Sequence, residues 1–265
     1  MSASERSAQI NREASGSVDA AEVEKFEREA ESWWDTGGPH RPLHVINPAR
    51  IAVIKAAVVK HFGREPNGLR PFEGLSLLDI GCGGGLVAEP MARLGALVVG
   101  ADPGAANIKV AAAHASRIGL PIDYRCATPE DMAEAGQQFD VVLALEIVEH
   151  TSDPFGLIDL CARLVAPGGL LVMSTLNRTL KSLALAKIGA EYLLRWIPRG
   201  THEFRKFVTP RELRYAFEAA GLTPAPPVGL RYRPLKDEWA PSLDASVNYV
   251  MWAAKPEEIE SNGTR

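Results

Sequence analysis

The run Asp79-Ile80-Gly81-Cys82-Gly83-Gly84-Gly85 sets an acid two places ahead of a glycine cluster, and Asp102 follows about twenty residues on. Glycines are needed where backbone must turn sharply and a ligand must approach without a Cβ in the way. An acid ending the next strand can accept both ribose hydroxyls of a nucleoside. A bare turn would also use glycines, but it would have no use for the two acids. A second group, Glu146, Glu149 and His150, falls within five residues after the apolar run 141–145. In a turn leading to a helix these stand at i, i+3 and i+4 and can converge. Two carboxylates and an imidazole make a site for Mg²⁺, which would lower a phenol's pKa as a Lewis acid. His150 could instead act as a general base toward a phenolic proton. Glu and His also serve as capping groups at helix starts. On the residues alone, all three readings stay open.

The elements that must position these groups show in the rhythm of the chain. Short apolar runs at 75–80, 97–101, 122–126, 139–145 and 170–174 read as strands, with helices at 86–94, 104–118, 129–135 and 154–165 between them. Runs apolar on both faces, such as 141–145, suit a parallel sheet covered by helices, and alternating βα units imply a doubly wound α/β sheet. Pro167-Gly168-Gly169 reads as the turn before the fifth of these strands, and Tyr249–Ala253 as a last strand. Upstream, Asp19 and Glu22 resemble a capping box opening a helix through Phe26, Ala30, Trp33 and Trp34. Asn47 reads as the cap of a second helix, with Pro48 at its first position. Thr209 caps a later helix. Residues 1–18 and 256–265 read as polar tails around a single domain over 19–255, disordered in the first case.

The glycine spacing separates two cofactor classes. A dinucleotide fingerprint starting at Gly81 would need glycine at 86, where Leu86 stands. Asp-x-Gly-x-Gly-x-Gly instead resembles motif I of the class I methyltransferases, which implies a Rossmann-like sheet, mostly parallel with an antiparallel last strand. Its cofactor, S-adenosylmethionine, has no pyrophosphate to seat on the helix N-terminus. Ala127-Thr128-Pro129-Glu130-Asp131 resembles the superfamily segment that lies by the adenine. More specific stretches are Phe26 to Trp34 ending in Trp33-Trp34-Asp35, Pro42-Leu43-His44 and Ile46-Asn47-Pro48-Ala49-Arg50. Glu146–His150, Ser174-Thr175-Leu176-Asn177-Arg178, Gly189-Ala190-Glu191-Tyr192, Gly200-Thr201-His202, Lys206-Phe207 and Val247-Asn248-Tyr249 complete them. Over about residues 20–253 the chain is similar to the ubiquinone biosynthesis O-methyltransferases of bacteria and mitochondria. The resemblance implies two methylations, of a polyprenyl catechol and of a demethylubiquinol. It also implies cofactor contacts from Arg50, Gly81, Gly83, Asp102 and Leu145, with Arg50 meeting the methionine carboxylate and Leu145 the adenosyl group. Several family members have arginine where Val45 stands, and bulkier residues where Ala144 and Leu145 stand.

Composition narrows the partners. A formal charge of -4 gives no global field to attract nucleic acid. Cys82, Cys126 and Cys161 form no CxxC pair, which suits reduced thiols in a cytosol-like compartment. The first residues lack the apolar core of a signal peptide, and apolar runs read as broken before the length a membrane span needs. Within the helical insert expected over 176–206, the stretch Ser182–Ile197 carries Lys187, Glu191 and Arg195 as one thin polar stripe. Seven basic and two acidic residues between Arg178 and Lys206 put +5 in a chain of -4. That is the composition of an interfacial membrane segment, and a lid helix or a dimer contact would share it. A polyprenyl substrate favours contact with anionic lipid, hence a cytoplasmic protein peripheral on the inner face of the cell membrane, near other ubiquinone-biosynthesis enzymes. Two rival functions remain: methylation of another small phenol or carbon acid, and a non-catalytic cofactor-binding scaffold.

Overall fold

The structure, a computed structural model, describes residues 19–183 and 206–257. Helix α1 (Ala20–Arg28) and a 3-10 turn (Ala30–Ser32) lead into α2 (Arg41–His61). Then β1 (Ser76–Ile80), α3 (Ala88–Arg93), β2 (Leu97–Asp102), α4 (Ala105–Arg117) and β3 (Asp123–Cys126) alternate. They are followed by α5 (Pro129–Glu134), β4 (Phe139–Leu145), a 3-10 turn (Val148–His150), α6 (Pro154–Leu164) and β5 (Val165–Leu176). After α7 (Leu180–Leu183) and α8 (Pro210–Ala219) come β6 (Thr223–Pro224), β7 (Val228–Arg233), β8 (Glu238–Ser242) and β9 (Asn248–Ala254).

The strands form one sheet in the order β3-β2-β1-β4-β5-β9-β7-β8, with β6 also on β9. From β3 to β5 the pairing is parallel, and β9 closes against β5 antiparallel, as the resemblance implied. The order reverses between β1 and β4, so the crevice for a ligand opens at their carboxyl ends. Successive residues point to opposite faces, which splits the core in two. Leu78, Val142, Leu171 and Met251 pack under α6 and α8. Leu77, Val141, Val172 and Val250 pack under α2, whose Ile54 and Val58 are fully buried. By length and hydropathy α2 alone among the described residues could cross a membrane, contrary to the expectation of short apolar runs. Half of its window is buried in the core, as in a helix of a globular protein.

Three readings need correction. Helix α2 starts at Arg41 with Pro42 in its first turn, and Pro48 lies inside it. Pro48 removes one helical N–H, yet burial of Ile46, Ala49 and Val53 on both sides of it carries the helix through. Asn47 is therefore no cap, and its Oδ1 accepts from Arg50 Nη1 at 3.1 Å. The helix expected through Trp34 ends at Arg28, and Glu22, read as half of a capping box, reaches His150. Strands β6, β7 and β8 were not foreseen. The box at Thr209 is present, with Glu212 as its acid. Of the 182–197 stretch all but Ser182 and Leu183 lies outside the described residues, as do residues 1–18.

Candidate active site

Gly81 N and Cys82 N both donate to Ala101 O, at 2.8 and 3.1 Å, lashing the glycine loop to β2. Gly81 and Gly83 hold φ of +69° and +51°, the left-handed region that side chains resist. A Cβ at Gly81 would stand 2.4 Å from Ile147, and one at Gly83 or Gly84 would enter the Trp33 ring. The glycines thus admit backbone strain and a close neighbour together. That neighbour is held in place, because Trp33 Nε1 donates to Asn107 Oδ1 at 2.9 Å while its ring stacks on His40. Trp34 Nε1 donates to Gly84 O at 3.0 Å, and its ring stacks on His114. The segment before α2 covers the loop.

Asp102 ends β2 beside this loop, buried as its position requires. Gly83 N donates to its Oδ2 (3.0 Å), and Gly104 N and Asn107 Nδ2 donate to its Oδ1 (2.8 and 3.1 Å). Burial raises its pKa, and these donors oppose the rise. Asp79 is deeper still, pushed up to about 7 by burial and by the Asp102 charge. Its Oδ2 has no partner. On the far side of the crevice Arg50, also buried, spends Nη1 on Asn47 and Nη2 on Glu146 (2.9 Å), while its Nε has no partner. A buried acceptor and a buried donor left open in one crevice call for a ligand carrying both a cation and an anion. Leu145, half-buried at the end of β4, lines the same space.

The acidic cluster is not gathered as expected. Glu146 Oε1 accepts from Ser174 Oγ (2.8 Å) and pairs with Arg50, whereas Glu149 Oε2 accepts from Thr175 Oγ1 (2.9 Å). Ser174 and Thr175 are consecutive on β5, so their side chains leave opposite faces of the sheet and draw the two carboxylates apart. Glu146 takes φ of +53°, a strained backbone for a non-glycine residue. His150 turns a third way, its Nδ1 2.9 Å from Glu22 Oε2 of α1. Among the described residues no three such side chains converge on a metal, so the expected ligand set of Glu146, Glu149 and His150 is not assembled in this geometry. Burial, with the Glu146 charge second, raises the Glu149 carboxyl to about 7. At His150 burial is the largest influence and opposes the charge, but the Glu22 hydrogen bond and the Glu149 and Glu22 charges together outweigh it and the pKa rises. Glu22 is lowered to about 2, chiefly by that same bond.

These groups line one cleft of about 470 Å³ that runs from the glycine loop to the β7–β8 hairpin. Several of its walls escaped the sequence reading. Trp33 and Asn248 stood in stretches that carried the family resemblance without a role attached. Glu22 was read for its helix alone, and Tyr232 and Trp239 gave no signal.

The methyltransferase domain family matches residues 53–225. The chain is 54% identical over 239 residues to the ubiquinone biosynthesis O-methyltransferase of Chelativorans sp. (strain BNC1), covering 90% of this chain and 94% of that protein. It is 54% identical over 240 residues to the enzyme of the same name from Methylobacterium nodulans, covering 91% and 96%. Among solved structures, the plantazolicin methyltransferase BamL, in complex with a triazolic desmethylPZN analogue and S-adenosylhomocysteine, aligns with a TM-score of 0.59 at 17% identity, over 89% of this chain and 97% of that one. Magnesium protoporphyrin IX methyltransferase from Synechocystis PCC 6803, with S-adenosylhomocysteine bound, aligns with a TM-score of 0.54 at 21% identity, over 80% and 85%.

Proposed function

The chain belongs to the ubiquinone biosynthesis O-methyltransferases, S-adenosylmethionine-dependent enzymes on the class I fold, and from that premise we propose that its acceptors are a polyprenylated catechol and a demethylubiquinol. The observation that carries the site assignment is the open pair Asp79 Oδ2 and Arg50 Nε, both buried in residues that line the same cleft. An α-amino acid end supplies the ammonium and the carboxylate these atoms lack. Asp102 with Gly81 and Gly83 then takes the ribose, and Leu145 packs on the adenosyl group. Calorimetry with S-adenosylmethionine tests this set, with weakened binding expected for Arg50→Ala and Asp79→Asn. Unchanged binding in both would overturn the assignment.

S-adenosylmethionine, when bound, would supply a sulfonium methyl carbon as electrophile, with the neutral thioether of S-adenosylhomocysteine as the leaving group. The chain's own residues supply position and a place for the proton. An acceptor hydroxyl forms the new C–O bond as the C–S bond breaks, and its proton leaves to a base on the protein. Glu149, near neutrality in pKa, and His150, fixed by Glu22, are the groups at hand. In this geometry Glu146, Glu149 and His150 do not converge as a Mg²⁺ site. Loss of turnover in EDTA, restored by Mg²⁺, would show that these side chains regroup around an ion. Unaffected turnover leaves proton transfer to the protein alone.

The same reading makes the protein cytoplasmic and peripheral, drawing its lipid substrate from the inner face of the membrane through 182–197, beside other enzymes of the pathway. Support comes from the basic, apolar composition of that stretch. Product analysis separates the rivals: a methylated water-soluble phenol alone, or no product despite cofactor binding, would favour them.

A further inference from the structure

Asn248 opens β9 opposite Leu176 of β5, in antiparallel register. It shares a face with Val250, and therefore with the side of the sheet that α2 covers. Its side chain is only 4% exposed, and Oδ1 finds no hydrogen-bond partner although the residue lines the cleft. A buried carbonyl oxygen with no donor carries a desolvation penalty that native structures rarely leave standing. At this place the missing donor is one a ligand can bring.

The wall beside it is apolar and held still. Tyr232 and Trp239 are cross-strand partners on the β7–β8 hairpin, with ring centroids 5.4 Å apart. Ile46 of α2 belongs to the same apolar cluster as Trp239, and Leu43, a turn earlier on α2, lines the same cleft. Tyr232 OH donates to Asp237 Oδ1 at 2.6 Å, so the phenol is tied to the hairpin. Asp237 also pairs with Arg41 at 2.5 Å, which fastens the hairpin to the first turn of α2. The rigid result is one buried acceptor next to an aromatic slot, continuous with the cofactor end where Arg50 and Leu145 stand.

Resting on the O-methyltransferase reading above, we propose that Asn248 Oδ1 accepts a hydrogen bond from the hydroxyl of the catechol that is not methylated. Tyr232, Trp239, Leu43 and Ile46 receive the apolar chain the ring carries. A catechol offers two neighbouring hydroxyls, so an acceptor group that engages one leaves the other for the sulfonium. Recognition at two points, polar on one edge of the ring and apolar on another, then sets which oxygen is methylated.

The test compares three acceptors: a short-prenyl catechol, the same ring with only one hydroxyl, and catechol without a chain. In the wild type the two-hydroxyl acceptor is preferred over the one-hydroxyl analogue. Asn248→Ala should lower kcat/KM for the short-prenyl catechol by roughly tenfold and so collapse that preference. Trp239→Ala should raise KM for the prenylated catechol while catechol without a chain changes little. Calorimetry with S-adenosylmethionine shows that each variant is folded, and Asn248→Ser serves if Asn248→Ala is not. Equal losses on the one- and two-hydroxyl rings would overturn the role of Asn248. Equal losses with and without the chain would overturn the slot. If the wild type methylates none of the three, the O-methyltransferase reading fails, and with it this inference.

Discussion

Glu22 and His150, 128 residues apart in the chain, meet with Oε2 and Nδ1 2.9 Å apart. Helix α1 is thereby joined to the loop after β4, and the cover over the glycine loop is joined to the acidic cluster. Phe26 adds an edge contact to the His150 ring. The N-terminal segment is consequently a wall of the site as well as a lead into the sheet.

This pair should make stability depend on pH in a stated direction. His150 is raised above 6.5, so its contribution is full below that value and is lost as pH climbs through the folded pKa. Glu22 is lowered from 4.5 to about 2, so its contribution is full above 4.5 and is lost as pH falls toward 2. Between 4.5 and 6.5 both are present. Thermal melts of Glu22→Gln should therefore differ most from the wild type in that window, and the difference should shrink as pH rises through the folded pKa of His150. A difference that stays constant across the range would show that the contact does not carry the effect.

Glu149 gives the opposite sign. Its carboxyl is raised to about 7, so an ionised Glu149 opposes folding, and the opposition grows as pH rises from 4.5 to about 7. Glu149→Gln should leave stability unchanged or improved at about pH 8 while turnover falls, since the amide cannot take a proton. A variant that is less stable and equally active would reverse the assignment.

Asp102→Ala should weaken S-adenosylmethionine binding by about 1.5–3 kcal/mol, through loss of a charge-assisted hydrogen bond accepted from a ribose hydroxyl. The three protein donors that hold Asp102 use about three of its four lone-pair positions. Asn107→Ala should consequently change affinity far less than Asp102→Ala. Titration calorimetry on both variants checks the order, and an unchanged dissociation constant for Asp102→Ala removes the assignment.

The sheet could be read because its central strands β1, β4 and β5 are largely buried on both faces and a helix start such as Thr209 carries a clear capping signal. The region from Gly221 to Ser242 resisted. Proline at 224, 226, 227, 234 and 241 breaks the alternation that marks a strand, and β6 and β8 lie at or off the edge of the sheet, where proline is tolerated. Pro48 misled for a related reason, since a proline in sequence marks a helix start more often than a helix middle. At the site, residue types were legible and directions were not. Glu146 and Glu149 share a turn, but Ser174 and Thr175 send them to opposite faces, and only the strand pairing reveals that. The partner of His150, Glu22, comes from a distant segment for which spacing offers no clue.

The basic, apolar stretch 182–197 should bring the protein to anionic vesicles at low salt and release it as salt rises. Replacing Leu193, Leu194 and Trp196 with serine should reduce sedimentation with vesicles. The same change should lower turnover of long-tailed acceptors more than that of soluble catechols. Equal loss on both would mark the stretch as a lid, and no vesicle binding by the wild type would end the membrane reading.

The central claim is methyl transfer to a hydroxyl of a prenylated ring. Incubating the protein with methyl-labelled S-adenosylmethionine and a short-tailed demethylubiquinol, then analysing the product, tests it most directly. The account predicts one labelled methyl on oxygen and equimolar S-adenosylhomocysteine, with turnover lost in His150→Ala and Glu149→Ala while cofactor binding persists. Label on carbon, or cofactor binding with no labelled product, would contradict it.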